Sequence, residues 1–360
     1  MYHQQNLQIH GIYVPDSKEF TGEKGDRLFR FFELKFSVEN SEIDPVPARL
    51  PIVSRDMTPY SFQSGELFLN GERLTFANAS VHQVSLPPEE SKWHLKGYTI
   101  PFQGTKNPYR ELRVNPRITG YCPGKCFFCH RLHSHRLKPK EKKIPSPSKI
   151  LDRIAETEGA NVFNKFEQII LISELFGRED LFLLSVEETR SALAQRGFSA
   201  SKTFDCCAQD VRSHEGHKRL LNLVNPVRYS FTLEFFRDRS RLMGRYKGLP
   251  MEQVYRILAS AREAGFKEIR LNYMAGIDSL EECLDGFRKL SGLGLVDSVG
   301  LSTFTFFSEA QIACRHETAW NPVYYLHVVE ILKSLGIKAY MPASFNMGCP
   351  YTVLMENTKP

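Results

Sequence analysis

Tyr121-Cys122-Pro123-Gly124-Lys125-Cys126-Phe127-Phe128-Cys129-His130 sets three cysteines in a Cys-x-x-x-Cys-x-x-Cys pattern, immediately after a stretch at 112–118 that reads as a strand. Three sulfurs within eight residues cannot all be used by one disulfide, because one is always left over. As thiolates they can wrap one face of a metal centre, on a loop that Pro123 and Gly124 allow to bend. Two centres suit these donors. A [4Fe–4S] cluster held by three cysteines keeps its fourth iron free of protein, an open position that a reaction needs and a closed Cys₄ carrier lacks. Zinc is the rival, because His130, His133 and His135 follow at once and Cys₃His is a common zinc set. Structural zinc sites usually take a second ligand pair from a distance, so the clustered spacing favours iron and sulfide.

Outward from this run the chain alternates strand and helix patterns. Strands are expected at 112–118, 168–173, 203–208, 228–234, 268–274, 298–304 and 338–342, with helices at 148–158, 186–196, 217–224, 251–264, 280–290 and 322–335. Gly197, Gly265, Gly292 and Gly336 stand where left-handed helix caps are expected. Such alternation implies parallel strands joined by right-handed crossovers. Six repeats fall short of a closed eight-fold barrel, so the fold class is α/β, a partial (β/α)6 TIM-like barrel. The cysteines then lie after the first strand, at the barrel edge where such folds carry function.

The N-terminal third has a different texture. Alternating runs at 28–36, 65–69 and 73–76, with Asn70-Gly71 as a tight-turn signal, describe a small β-rich N-terminal domain with proline-bearing joints. The expected division is a β-rich domain over 1–105, the partial barrel over 106–345 and a tail over 346–360.

Composition narrows the setting. With 360 residues and 42% hydrophobic content, the chain can bury one large core or two modest ones. A net charge of +6 suits an anionic ligand, and nucleic acid is not an expected partner. Residues 1–30 lack an apolar secretory core and no stretch approaches a membrane span, so no membrane association is expected. Eight cysteines, five of them scattered, suit a reducing, cytoplasmic location.

Residues 122–129, with the aromatic Phe128 before the last cysteine, resemble the signature of the radical S-adenosylmethionine (radical SAM) enzyme superfamily, and the likeness extends over roughly residues 110–345. The resemblance implies that Cys122, Cys126 and Cys129 bind a [4Fe–4S] cluster whose open iron takes S-adenosyl-L-methionine. Reductive cleavage of that cofactor then gives a 5′-deoxyadenosyl radical, which abstracts hydrogen from a substrate. It further implies cofactor contacts from Phe128 and from the loops after the strands. Where the family carries Gly-Gly-Glu, this chain reads Leu171-Ile172-Ser173-Glu174-Leu175, so Ser173 and Glu174 take that place without the glycines. Thr232 and Glu234 would share one strand face by alternation and serve ribose hydroxyls or an ammonium. Among Arg237, Arg239, Arg241 and Arg245, the last is the choice for the methionyl carboxylate. Gly276 and Ile277 resemble the turn that lies close to adenine, while Glu281 needs no role beyond complementing a helix dipole.

Several features stay open at this level. Thr303 and Thr305 face a substrate or simply pack. The basic residues between His130 and Lys143 are a solvated face, or a docking surface for an acidic electron donor such as flavodoxin or ferredoxin. Cys206 and Cys207 read as core sulfurs, and Cys349 is isolated. The expected substrate is a small metabolite (an amino acid, sugar or nucleoside) of specialised metabolism. The alternatives are a peptide substrate, cleavage of the cofactor toward its aminocarboxypropyl side, and a non-catalytic iron–sulfur or zinc protein closed by His130.

Overall fold

The computed structural model describes residues 31–38, 41–42, 48–49, 58–63, 66–73, 79–84, 98–99, 111–115, 124–128, 146–172, 175–199, 203–225, 227–304 and 309–340. The first strands are short and antiparallel. β1 (Phe31–Val38) pairs with β2 (Ser41–Glu42), β3 (Ala48–Arg49) and β7 (Ala79–Val84), while β4 (Tyr60–Gln63), β5 (Glu66–Leu69) and β6 (Glu72–Arg73) form a sheet of their own. Leu69 pairs with Glu72, which leaves Asn70 and Gly71 as a two-residue turn with φ of 54° and 85°. Positive φ at both positions matches the right-handed twist of the flanking strands, so the turn signal read from the sequence holds.

The large sheet has a single rule of order. β8 (Tyr98–Thr99), β9 (Glu111–Val114), β10 (Gln168–Leu171), β11 (Thr203–Cys207), β12 (Val227–Glu234), β13 (Ile269–Ala275), β14 (Ser298–Thr303) and β15 (Lys338–Tyr340) lie side by side in chain order. From β9 to β15 every pairing is parallel, and β8 joins β9 antiparallel. The sheet therefore reaches back to residue 98, across the boundary expected near residue 105.

Six helical crossovers connect the parallel strands. α1 (Pro147–Glu158), α2 (Glu179–Ala194), α3 (His214–Leu223), α4 (Arg239–Lys247) with α5 (Met251–Ala264), α6 (Leu280–Gly292) and α7 (Glu309–Ile312) with α8 (Pro322–Ser334) fill them in turn. Parallel strands in chain order, each reached by a right-handed crossover, put every helix on the same side of the sheet. Neighbouring helices accordingly pack on one another: α1 on α2, α2 on α3, α3 on α5 and α6 on α8. This is the expected α/β, partial-barrel arrangement, with seven parallel strands and six crossovers.

Strand side chains sort by face. In β13, Ile269, Leu271, Tyr273 and Ala275 are buried under the helices, whereas Arg270, Asn272 and Met274 on the other face are half-buried. The core joins such strand residues to helix stripes, for example Val254, Ile257, Leu258 and Ala261 of α5 at helical spacing. Phe287 of α6 packs edge-on to Phe236 and Tyr273, each at 5.0 Å between ring centres.

Three expectations need correction. α2 begins at Glu179 rather than 186, because Phe182 and Leu183 already belong to its buried stripe; the apolar run at 181–184 hides the period. Gly292 is the last residue of α6, and Gly294, with φ of 64°, takes the left-handed position. α4 has no counterpart among the expected helices; it is rich in arginine and kinks at Gly244. Phe287→Ala should lower unfolding stability by about 3–5 kcal/mol. A shift in denaturant midpoint at unchanged slope, measured against wild type, checks it.

Candidate functional site

The described part of the cysteine loop, residues 124–128, lies over the C-terminal ends of the parallel strands. The Phe127 amide donates to the Leu242 carbonyl of α4 at 2.7 Å, and Gln311 Nε2 of α7 donates to the Phe127 carbonyl at 2.6 Å. Phe128 is buried edge-on against Phe235, 5.3 Å away, just past the end of β12. Cys126 is a thiol outside any disulfide, 7% exposed, with Sγ 3.8 Å from the Met243 carbonyl. Cys122 and Cys129 lie outside the described residues.

Glycine makes this seat possible. Gly244 has φ of 65° inside α4, and a Cβ there would stand 2.6 Å from the Gly124 carbonyl oxygen. The bend in α4 and the close approach of the loop therefore need the same residue to lack a side chain. Gly294 also has positive φ, but a Cβ there would meet open space. Gly294→Ala should thus show the backbone cost alone, about 1–2 kcal/mol, whereas Gly244→Ala should cost more and make the Cys126 thiol react faster with an alkylating reagent. Denaturation curves and thiol-modification rates of the two variants provide the comparison.

At the end of β12 the strand departs from regularity. Phe231 pairs with Leu271, but Glu234 pairs with Tyr273, so the register slips by one before Glu234. Glu234 has φ of 67° and forms an ion pair with Lys247, both largely shielded from solvent. The ladder is broken there, yet burial still alternates, with Thr232 and Glu234 half-buried and Phe231 and Leu233 buried. Lys247 Nζ also stands 5.8 Å from the centre of the Phe128 ring.

The four arginines divide. Arg245, near the end of α4, is exposed, and Arg241 is exposed and paired with Asp238 at 2.7 Å. Arg237 lies 3.8 Å from Glu282. Arg239 is buried, donates to the Leu233, Phe235 and Leu249 carbonyls, and has its pKa pushed down to about 10 by burial.

Gly276 has φ of 117°, and a Cβ would lie 3.2 Å from Tyr325 Oη and 3.3 Å from Phe304 Cβ. Its amide donates to Tyr324 Oη at 3.3 Å and its carbonyl accepts from the His316 amide at 2.8 Å. The positive φ favours glycine here, and the protein's own groups stand close on the side a Cβ would take. The Ile277 side chain is fully buried, and the acid that caps α6 is Glu282, in a capping box with Ser279. Ser173, Glu174, Thr305, Cys349 and the basic run over 130–143 lie outside the described residues. Thr303 is buried, Cys206 is in the core, and Cys207 is half-buried on the helix-free face, its thiol pushed up to about 12 by burial.

Two residues escape the sequence reading. Asp278, wholly buried, accepts from the Phe236 amide at 2.9 Å, the Arg237 amide at 3.0 Å and Tyr273 Oη at 2.8 Å. Asp210, also buried, accepts from the Phe176 and Gly177 amides at 2.9 Å and from Tyr246 Oη at 2.6 Å. The signal is present as a repeat: Glu174-Leu175-Phe176-Gly177 and Glu234-Phe235-Phe236-Arg237 place an acid, two apolar residues and the clamped amides at the same offsets.

Burial pushes the Asp278 carboxyl up to about 6; the Arg237 and Phe236 amides and the Tyr273 hydroxyl oppose the rise, and Glu282 adds to it. Folding then favours the protonated form, so this group's contribution to stability is complete below pH ~4 and is lost as pH rises through about 6. The stability of wild type relative to Asp278→Asn should fall over that window, by roughly 3 kcal/mol at most. Denaturation of both proteins at pH 4, 5, 6 and 7 measures it.

The helix-free face is polar near its middle. Asp205 bonds Ser230 Oγ, Arg270 at 2.9 Å and Arg228 at 3.4 Å, with Arg228 also 2.7 Å from Glu268. Beside them Arg113 pairs with Glu111 at 3.2 Å and Asn272 reaches Cys207 Sγ at 3.8 Å.

No protein-family model and no curated protein matches the chain. Solved structures do match. SuiB of Streptococcus suis, bound to S-adenosylmethionine, is 15% identical over 65% of this chain and 50% of that one, at a TM-score of 0.44. Coproporphyrinogen III oxidase (HemN) of Escherichia coli, described as a radical SAM enzyme, is 14% identical over 62% and 52%, at 0.41. A dipeptide epimerase from Enterococcus faecalis V583 is 9% identical over 58% and 50%, at 0.33. The chain spans about half the length of each of these three structures. Likeness at this level does not carry an activity from one chain to another.

Proposed function

We propose that this chain is a radical SAM enzyme. The observation that carries the reading is the Cys-x-x-x-Cys-x-x-Cys run after the first parallel strand, with its middle cysteine a buried thiol held over the strand ends by α4 and α7. The donors fit a [4Fe–4S] cluster: the five cysteines among the described residues are thiols outside any disulfide, and the loop carrying Cys126 has a glycine-shaped seat. Cys122, Cys126 and Cys129 would hold the cluster. When bound, the cluster and S-adenosyl-L-methionine supply the electron and the 5′-deoxyadenosyl radical that takes a hydrogen atom from substrate.

The chain's own part is binding and orientation. Ser173, Glu174, Thr232 and Glu234 would receive the amino group and ribose hydroxyls, and Arg245 the methionyl carboxylate. Phe128, Gly276 and Ile277 would border the same site. Lys247, already paired with Glu234, holds that carboxylate in place. The helix-free face suits a small polar metabolite, such as an amino acid, sugar or nucleoside. An apolar substrate covering the partly exposed Arg228 and Arg270 would strip them of water without replacing its hydrogen bonds. Electrons would come from a flavodoxin- or ferredoxin-like donor in the cytoplasm.

Anaerobic reconstitution with iron and sulfide, reduction in the presence of S-adenosylmethionine, and chromatography for 5′-deoxyadenosine test the proposal. Product is expected from wild type and not from Cys126→Ala. Stoichiometric zinc without iron would overturn the reading.

A further inference from the structure

β12 and the helix that follows it are gripped from both sides. On the β13 side, Asp278 takes the amides of Phe236 and Arg237, just before α4 begins. Phe236 is fixed as well by its ring, which lies against Gly286 so closely that a methyl there would overlap it. On the β11 side, the loop after the strand holds the far end of α4. Asp210 accepts from Tyr246 Oη at 2.6 Å, Gln209 Nε2 donates to the Lys247 carbonyl at 3.2 Å, and Arg212 donates to the Tyr246 carbonyl at 2.8 Å while lying 4.2 Å over its ring. Asp210 uses its remaining capacity on Phe176 and Gly177, the loop after β10.

What α4 carries is the cysteine loop. Leu242 accepts from Phe127, Met243 from Cys126, and Gly244 makes room for Gly124. Its last turn also bears Lys247, the partner of Glu234. Two buried carboxylates, on the loops after the two strands that flank β12, thus hold the two ends of one short helix, and its middle holds the cysteine loop.

We propose that Asp210 and Asp278 are positioning residues for the cluster and its cofactor, acting through α4; this rests on the reading of the chain as a radical SAM enzyme. Each carboxylate accepts from two consecutive amides and a tyrosine hydroxyl, a load that asparagine cannot take because its NH₂ faces a donor. Replacement therefore loosens one end of the helix while leaving the shape of the side chain.

The test compares Asp210→Asn, Asp278→Asn and Tyr246→Phe with a control, Asp297→Asn. Asp297 accepts from the Ile269 amide and from Arg262, each at 2.7 Å, at the opposite edge of the sheet. Tyr246→Phe cuts only the bond from α4 to Asp210 and keeps the carboxylate, so it decides the matter where an aspartate variant fails to fold. Hydrogen exchange at the Phe127 amide is measured in each full-length protein without metal. S-adenosylmethionine affinity, and its effect on the electron paramagnetic resonance of the reduced cluster, are measured after reconstitution.

The α4 variants are expected to speed exchange at Phe127 by about tenfold or more and to weaken S-adenosylmethionine binding by a similar factor, at near-wild-type iron content. Asp297→Asn is expected to lower thermal stability and move neither. If the α4 variants behave like Asp297→Asn, the positioning role is overturned. If wild type takes up no iron or binds no S-adenosylmethionine, the functional reading fails, while exchange at Phe127 still scores the clamp.

Discussion

A parallel strand can be reached from its neighbour only by a crossover of one hand, and this chain lays seven such strands in order. Everything else follows from that constraint. All helices fall on one face, so that face takes the apolar half of every strand, and Leu271, Tyr273, Val299 and Leu301 are wholly buried there. The opposite face is relieved of core duty and holds Asp205, Arg228 and Arg270 in a bonded cluster. All the strand C-termini open on one edge, and the loops there meet one another.

Convergence at that edge is what brings distant sequence together. Phe127, Leu242 and Gln311 come from the first, fourth and sixth crossovers, yet two hydrogen bonds join them in a row. His316 and Gly276 link the loops after β14 and β13 in the same way, and Asp278 links those after β13 and β12. Each loop leans on the next one along the sheet. A buried carboxylate is a suitable joint for this purpose, because it accepts several amides from a segment with no regular partner of its own.

The regular parts are legible in the sequence and the joints are not. Strand β10 announces itself by the apolar run Ile169-Ile170-Leu171, and α5 by a buried stripe ended by Gly265. α4 is short, four of its nine residues are charged, and its only buried apolar side chains are Leu242 and Met243, so no apolar stripe announces it. Arg239 reads as one surface arginine among four, and only the fold shows it buried among carbonyls. Asp278 looks like a turn residue before a serine cap. The register shift before Glu234 is not legible either, because a bulge is a feature of pairing between strands, which the strand's own sequence does not record. Gly276 reads in sequence as a place of close backbone approach, and only the fold shows Tyr325 and Phe304 standing near it where a side chain would go.

Backbone strain gives an independent bearing on where the work is done. Among the described residues, four other than glycine have positive φ: Asn70, Lys125, Glu234 and Asp238. Asn70 belongs to a hairpin turn that demands it. The other three fall in the cysteine loop and in the segment between β12 and α4, on either side of the contact between Phe128 and Phe235. Each such residue costs on the order of 1 kcal/mol and persists only where its surroundings fix it. Here those surroundings are Gly244, the ion pair of Glu234 with Lys247, and the amides held by Asp278. A loop needed only to connect β12 to α5 would have no reason to keep three strained residues and a kinked helix. One that must hold a cysteine run at a set height over the sheet does.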